Sequence, residues 1–281
     1  MQVFPFEQPQ HSKALMKTAC QLYRRSVLAA LPFALFMVGI VYFMRFGNHF
    51  FNAKWAMLYP KLSMLAAILL LPLSGAIFTV MDHIGKQQPY TFFGVMRFCA
   101  QRFISLIGCA IYVIFIPALV AGVCIIIYIV MGVKHVPGVG LMIWIAVTEL
   151  LIFASFIPNI FAPILIFSDK LDANPAVDYS HKLVKGFFVR TFIYGLYAVL
   201  IIILLGKFAS LVHFYFPHLS AKIPHSVLEG ISAGLLVIIG PWSYALLLTH
   251  KYDLQTRVPL TGNVPKPPTW SAKKAEKQVS F

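Results

Sequence analysis

Residues 149–190 read ELLIFASFIPNIFAPILIFSDKLDANPAVDYSHKLVKGFFVR. The stretch begins with an apolar run that has no charge between Glu149 and Phe167, passes through a polar connector that contains Pro175, and ends in a basic segment. With the residues before it, the apolar run covers 141–167. At about 1.5 Å per residue this is long enough to cross a hydrocarbon layer of about 30 Å. The stretch therefore predicts a membrane-spanning helix followed by a polar turn.

The composition of the whole chain agrees with this prediction. Of 281 residues, 59% are hydrophobic and 11% are charged, whereas about a quarter of the residues in a soluble domain are charged. The net charge of +14 is explained by Lys and Arg at the inner face of a membrane, where anionic lipid headgroups attract them. We therefore expect the lipid bilayer and its anionic headgroups as partners, and no nucleic acid.

The apolar pattern predicts an all-α integral membrane protein, a six-helix bundle with amphipathic surface helices on the cytoplasmic side. Residues 1–25 form a basic amphipathic segment with Leu15, Ala19 and Leu22 on its apolar side, which we expect to lie on the membrane surface. Residues 26–250 form the transmembrane domain, and residues 251–281 form a disordered, basic tail rich in Pro and Lys. The six predicted spans are 26–44, 62–81, 104–133, 141–167, 191–212 and 227–249.

The distribution of charge predicts the orientation. Seventeen of the 23 Lys and Arg residues lie on the side of the bundle that holds both chain ends, and six lie on the other. The positive-inside rule then places both termini in the cytoplasm of a bacterium whose inner membrane holds the protein. Prolines inside the apolar runs predict bends, at Pro117 in the third span and at Pro158 and Pro163 in the fourth.

The spans occur in pairs that share a pattern. Pro9, Pro89 and Pro175 each precede a basic amphipathic segment that leads into an odd-numbered span, and Asp82 and Asp169 end the second and fourth spans. This recurrence indicates three copies of one unit, a surface helix followed by a helical hairpin. The alternative is the alternation that any multispanning protein shows.

Two fragments carry a resemblance to a known family: LPLSGAIFTVMDHIGKQQPYTFFGVMRF and FAPILIFSDKLDANPAVDYSHKLVKGFFVRTF. They resemble a functionally uncharacterised family of bacterial six-helix inner-membrane proteins related to the membrane domain of some glycerophosphodiester phosphodiesterases. The resemblance implies six helices in the inner membrane; without a soluble enzyme domain it does not imply phosphodiesterase activity. The matching positions are Pro72, Gly75, Ala162, Pro163, Pro175, Ala176, Ser180, Leu183, Lys185 and Gly186.

One candidate site lies inside the membrane. Glu149 is the only acidic residue well inside a predicted span, and an ionisable group at that depth costs about 2.5 to 3.5 kcal/mol unless it is paired or protonated. We therefore expect Glu149 to face the bundle, with Ser155 and Asn159 continuing a polar line. A proton or cation relay and a hydrogen-bonded structural carboxyl both remain open.

A second candidate site is the cytoplasmic connector after the fourth span. Asp178 and His181 are spaced three residues apart on a helix and could form an acid–base pair. The alternative is a solvated connector whose basic face contacts lipid headgroups. The candidate residues of the connector are Asp169, Asp172, Asp178, His181 and Lys185.

These patterns predict a protein without catalytic activity. No nucleophile such as a GxSxG elbow accompanies Asp178 and His181, no phosphate-binding glycine loop is present, and we assign no cofactor or metal site. The first hypothesis is a membrane scaffold or accessory factor in envelope maintenance, with a membrane-protein partner or a homodimer. Glycines at 230 and 234 would allow close helix contact in either case. The alternatives are a small permease or channel that uses Glu149, and a membrane enzyme that acts on lipids.

Overall fold

The computed structural model describes residues 3–4, 6–46, 59–130, 138–216, 218, 223 and 225–258. These residues contain helices and no strands. The helices are α1 (Ser12–Phe46), α2 (Tyr59–Gly85), α3 (Phe92–Gln101), α4 (Phe103–Val130), α5 (Gly138–Phe156), α6 (Ala162–Ser168), α7 (Ala173–Val184), α8 (Phe188–Gly206), α9 (Phe208–Tyr215) and α10 (His225–Arg257).

Six segments of the described chain are long and apolar enough to span a membrane, which confirms the predicted number of spans. The protein is therefore an all-helical, multi-pass membrane protein. Two short helices, α3 and α7, precede the third and fifth spans. The six segments are Ser12–Met44, Tyr59–Gly85, Phe103–Tyr128, Ile143–Ser168, Phe188–Gly206 and Ser226–Arg257.

Helix α1 differs from the predicted surface segment followed by a span. It runs without a break through residue 25, so the basic segment and the first span form one helix of 35 residues. Leu15 and Ala19, which were predicted to face the membrane surface, are instead buried against Tyr194 of α8 and Leu246 of α10. The apolar side of the segment is therefore covered by protein, because the fifth span begins and the sixth span ends beside it.

The fourth span is interrupted where its prolines predicted. Helix α5 ends at Phe156, a 3₁₀ turn covers Ile157–Asn159, and α6 begins at Ala162. Ser180 of α7 satisfies the backbone at this break: its hydroxyl donates to the carbonyl of Pro158 at 2.7 Å and accepts from the amide of Phe161 at 3.3 Å. By contrast, α4 continues as a helix through Pro117.

Close packing of α2 against α6 requires a glycine. A Cβ atom at Gly75 would overlap the ring of Phe167, and that ring is only 3% exposed. We therefore expect Gly75→Ala to lower the free energy of unfolding by about 1–3 kcal/mol, the usual cost of overfilling a packed core. Thermal unfolding of the detergent-solubilised protein measures this loss.

Gly122→Ala is the matched control, because no described atom lies within 4 Å of a Cβ at Gly122 in α4. Alanine favours the helical conformation over glycine, so this variant should be as stable as the wild type or slightly more stable. Equal stabilities of Gly75→Ala and Gly122→Ala would contradict the packing described here.

Candidate functional site

A network of charged side chains lies at one end of the bundle, where the second, fourth and sixth spans end. Each of these spans contributes an aspartate: Asp82 in α2, Asp169 directly after α6, and Asp253 in α10. Asp82 and Asp253 are buried, and Asp169 is partly buried. Buried carboxylates need ionic and hydrogen-bonding partners, and the described structure supplies them for all three.

Lys251 of α10 is the centre of the first half of this network. It is 0% exposed, and its Nζ lies 2.5 Å from Asp169 Oδ1 and 3.0 Å from the hydroxyl of Ser168. The Nζ also lies 4.0 Å from the centroid of the Tyr252 ring. A buried ammonium without partners would be strongly unfavourable, so these contacts fix α10 against the end of α6.

Asp82 connects the same part of α10 to α2. Its Oδ1 accepts a hydrogen bond from the hydroxyl of Tyr252 at 2.5 Å, and its Oδ2 pairs with Lys86 Nζ at 2.7 Å. Charge-assisted hydrogen bonds of this kind are stronger than neutral ones. Together, Asp82 and Asp169 join the ends of α2 and α6 to one segment of α10.

The surroundings of Asp169 alter its protonation. Burial alone would raise the pKa of this carboxyl, but the ammonium of Lys251, hydrogen bonds from Lys251 and Gln255, and the charge of Lys86 together hold the pKa below its ordinary value of 3.8. Burial, followed by the negative charge of Asp169, raises the pKa of the neighbouring Tyr179. Asp169 is therefore an ionised carboxylate at neutral pH and Tyr179 a neutral phenol.

Asp253 is the centre of the second half of the network. Its carboxylate is 0% exposed and pairs with Arg190 of α8 at 3.0 Å and with Arg257 of α10 at 2.9 Å. The backbone amide of Gln10 donates to Asp253 Oδ1 at 2.6 Å, and both arginines donate to the Gln10 carbonyl. These bonds join the segment before α1 to α8 and α10.

A cavity of about 580 Å³ adjoins the first half of the network. The hydroxyl of Thr79, the imidazole of His83 and the ammonium of Lys170 contribute to its polar wall. Asp82 and Lys86 also line the cavity, but they form an ion pair with each other. Since the strongest charges neutralise one another, the arrangement favours a structural connection between helices over an acid–base centre.

The connector residues do not form one site in the described structure. Asp169 belongs to the network, whereas Asp172 is exposed and accepts from Arg102 at 3.1 Å. Asp178 pairs with Lys182 at 2.6 Å. His181 instead contacts the Asn159 side chain at 2.7 Å. Lys185 is exposed at the end of α7. Asp178 and His181 therefore have separate partners, and neither shows the contact that the predicted acid–base pair requires.

The intramembrane residues also lie apart. Glu149 is exposed and lines an open groove of about 310 Å³ between α4 and α5, so it does not face the bundle interior as the sequence analysis expected. Ser155 donates to the carbonyl of Ile152 in its own helix, and Asn159 is buried beside His181. Glu149 and Ser155 are six residues apart, which places them on different sides of a helix with 3.6 residues per turn.

The sequence pattern did not predict a role for Lys251 and Asp253, because they follow the last apolar run and fall in the predicted tail. The structure instead continues α10 to Arg257, with Lys251 and Asp253 buried; residues 259–281 of the predicted tail lie outside the described residues. Two features of the sequence could have predicted a role for this segment. Asp253 and Arg257 have the i, i+4 spacing of a helical ion pair. Asp253 also follows the predicted sixth span, as Asp82 and Asp169 follow the predicted second and fourth spans.

No protein-family model, curated protein or solved structure matches the chain. The resemblance to the six-helix family therefore stays a prediction.

Proposed function

We propose that this chain is a non-catalytic, multi-pass inner-membrane protein of a bacterium that acts as a membrane scaffold or accessory factor in envelope maintenance. Both termini lie in the cytoplasm, and the charged network lies at the cytoplasmic end of the bundle. The chain belongs, in this proposal, to the six-helix family that it resembles. The observation that carries the proposal is the exposed face of α4 and α5 around Glu149.

The hairpin of α4 and α5 offers a surface for a partner. Only 11% of the most apolar stretch of the span formed by α4 is buried within the described chain, compared with 44% for the span formed by α2. Large apolar side chains such as Ile111, Phe115 and Ile126 of α4 are exposed. A helix with this much free surface can pack against another membrane protein without displacing a neighbour from its own chain.

Glu149 gives this surface a chemical preference. It lies beside Tyr128 and Thr148, and the described residues offer it no hydrogen bond or ion pair; the hydroxyl of Thr148 is buried and likewise has no described partner. We call Tyr128, Trp144, Thr148 and Glu149 the docking face. A partner helix that presents a hydrogen-bond donor or a cation at this depth would offset the cost of the carboxyl in the membrane.

The charged network supports a static role for the rest of the bundle. Lys251 and Asp253 are both 0% exposed and are satisfied by partners from other helices. Such residues hold the ends of the spans together. A permease would need polar groups that remain available along a path through the bundle.

The proposed threefold organisation is compatible with this role. Helices α3 and α7 each lead into a pair of spans, and an aspartate lies at the end of the second span of each pair. Three hairpins joined through their aspartates would form one platform, to which the amphipathic segments add a basic surface for anionic lipids.

Reconstitution of the purified chain into vesicles tests the proposal. We expect no proton or cation flux above that of empty vesicles for either the wild type or Glu149→Gln. Flux in the wild type that Glu149→Gln abolishes would replace the scaffold with the permease.

Complementation of a deletion strain supplies the positive result. Loss of the gene should sensitise the cell envelope to detergent, and Glu149→Gln should restore resistance because a carboxamide can still hydrogen-bond to a partner helix. Glu149→Leu, which cannot, should restore it poorly. Equal complementation by both variants would contradict the docking face.

A further inference from the structure

A groove of about 990 Å³ lies between the beginning of α1 and the beginning of α8. It is open to the outside of the bundle at the end that holds the charged network. Lys13 and Arg190 provide cations at one end of the groove, and Ile193 and Tyr197 continue it along α8. A volume of this size is sufficient for part of a small amphiphilic molecule.

Two residues that line this groove each have a buried polar atom without a hydrogen-bond partner among the described residues: the hydroxyl of Tyr194 and Nε of Arg190. Tyr194 lines the groove and is only 4% exposed. The centroid of the Tyr194 ring lies 5.7 Å from the guanidinium carbon of Arg190. The same centroid lies 4.6 Å from the centroid of the His250 imidazole. Buried polar atoms are nearly always paired in folded proteins, so these two unpaired donors together indicate a missing acceptor.

The charge of the groove selects an anion. Lys13 is exposed and forms no hydrogen bond or ion pair with any described residue. Asp253 neutralises part of the charge of Arg190 and Arg257, which leaves the groove with a net positive charge. Helix α8 adds to this, because Phe187 at its N-cap gives no side-chain hydrogen bond to the first turn, and the first amides of a helix have no intrahelical acceptor and favour an anion.

The remaining wall of the groove is mostly apolar. Val189, Ile193 and Tyr197 are 70%, 46% and 50% exposed on α8. From Arg190 to Tyr197 the helix rises by about 10 Å. An occupant therefore meets cations and hydrogen-bond donors first and an exposed apolar helix surface after them, the order in which a phospholipid presents its headgroup and its acyl chain.

We propose that this groove binds an anionic phospholipid. The phosphate lies among Lys13, Arg190 and the hydroxyl of Tyr194, at the beginning of α8, and an acyl chain follows Ile193 and Tyr197 towards the centre of the membrane. This assignment goes beyond the scaffold function and does not rest on it, since a lipid can occupy the groove whether the bundle docks a partner or transports a solute.

Native mass spectrometry of the full chain tests the site, with phosphatidylglycerol, phosphatidylcholine and inorganic phosphate as separate probes. We expect phosphatidylglycerol to bind about tenfold more tightly than phosphatidylcholine. Lys13→Gln should weaken phosphatidylglycerol binding about fivefold, the factor that corresponds to about 1 kcal/mol for one cation near an anionic headgroup. Tyr194→Phe, which keeps the ring and removes only the hydroxyl, should also weaken it severalfold.

Lys17→Gln is the matched control, because Lys17 is an exposed lysine of α1 one turn away that does not line the groove. It should change binding less than twofold, and all three variants should keep the thermal stability of the wild type. Equal effects of Lys13→Gln and Lys17→Gln would overturn the site. Inorganic phosphate that binds as tightly as phosphatidylglycerol would overturn the lipid assignment in favour of a soluble anion.

Discussion

Lys251→Met is expected to lower the free energy of unfolding by about 3–5 kcal/mol, the usual cost of removing one partner from a buried ion pair. Methionine retains the length of the side chain but removes the ammonium. The carboxylate of Asp169, which lies 2.5 Å from Nζ, then loses its main partner, and the hydroxyl of Ser168 loses a second contact. Thermal and denaturant unfolding of the detergent-solubilised protein measure the loss.

Lys182→Met is the control for this experiment. Lys182 also pairs with an aspartate, at 2.6 Å from Asp178, but the two side chains are 41% and 65% exposed. An exposed pair four residues apart on a helix contributes about 0.3–0.5 kcal/mol. The two lysine variants therefore separate the effect of burial from the effect of charge pairing. Similar losses of unfolding free energy in both variants would show that the network adds no stability of its own.

A double variant and acidic pH test the same ion pair by removing the charge of Asp169. Lys251→Met combined with Asp169→Leu should recover part of the lost free energy of unfolding, because no buried charge is left unpaired.

In the wild type the folded pKa of Asp169 lies below its ordinary value. Its contribution is therefore present above about pH 4 and is lost as the pH falls through the folded pKa, so the difference between wild type and Lys251→Met should narrow in acid.

Asp253→Ala is expected to lower the free energy of unfolding by about 3–5 kcal/mol and to release the segment before α1. The carboxylate is 0% exposed and bridges Arg190 and Arg257, and it also accepts from the amide of Gln10. Without it, two arginines lie close together around the Gln10 carbonyl with no anion between them. Hydrogen exchange should become faster at Gln10 and in the first turn of α8, and the melting temperature should fall.

Asp172→Ala serves as the comparison for Asp253→Ala. Asp172 accepts from Arg102 at 3.1 Å, but its side chain is 63% exposed, so its loss should cost less than about 1 kcal/mol. Unchanged hydrogen exchange at Gln10 in Asp253→Ala would contradict the proposed role of this carboxylate in holding the N-terminal segment.

The number of spans could be predicted because the transfer of a helix into a membrane depends on its own residues. About 20 apolar residues in succession are sufficient, and no partner has to be known. The interruption of the fourth span at Pro158 and Pro163 could be predicted for the same local reason, since proline removes a backbone donor and clashes with the preceding turn. The contact of Ser180 with that break could not, because Ser180 lies about 20 residues away in another helix.

The charged network was only partly predictable. Asp169 was recognised as polar, but its partner Lys251 is separated from it by 82 residues, and local charge patterns carry no information about a pair so distant. Lys251 follows the last apolar run, where an exposed basic tail is the usual outcome. It is buried here because α2 and α6 end at the same level and provide carboxylates there.

The sequence by itself determined that the chain is helical, that six of its segments can cross a membrane and that prolines interrupt the fourth, because each of these depends on neighbouring residues. Only the tertiary structure decided that Glu149 faces outward, that Leu15 and Ala19 at the beginning of α1 are covered by α8 and α10, and that Lys251 and Asp253 hold the spans together. The physical reason is that the burial of a charge depends on partners from other helices, and hydropathy along one segment does not specify them.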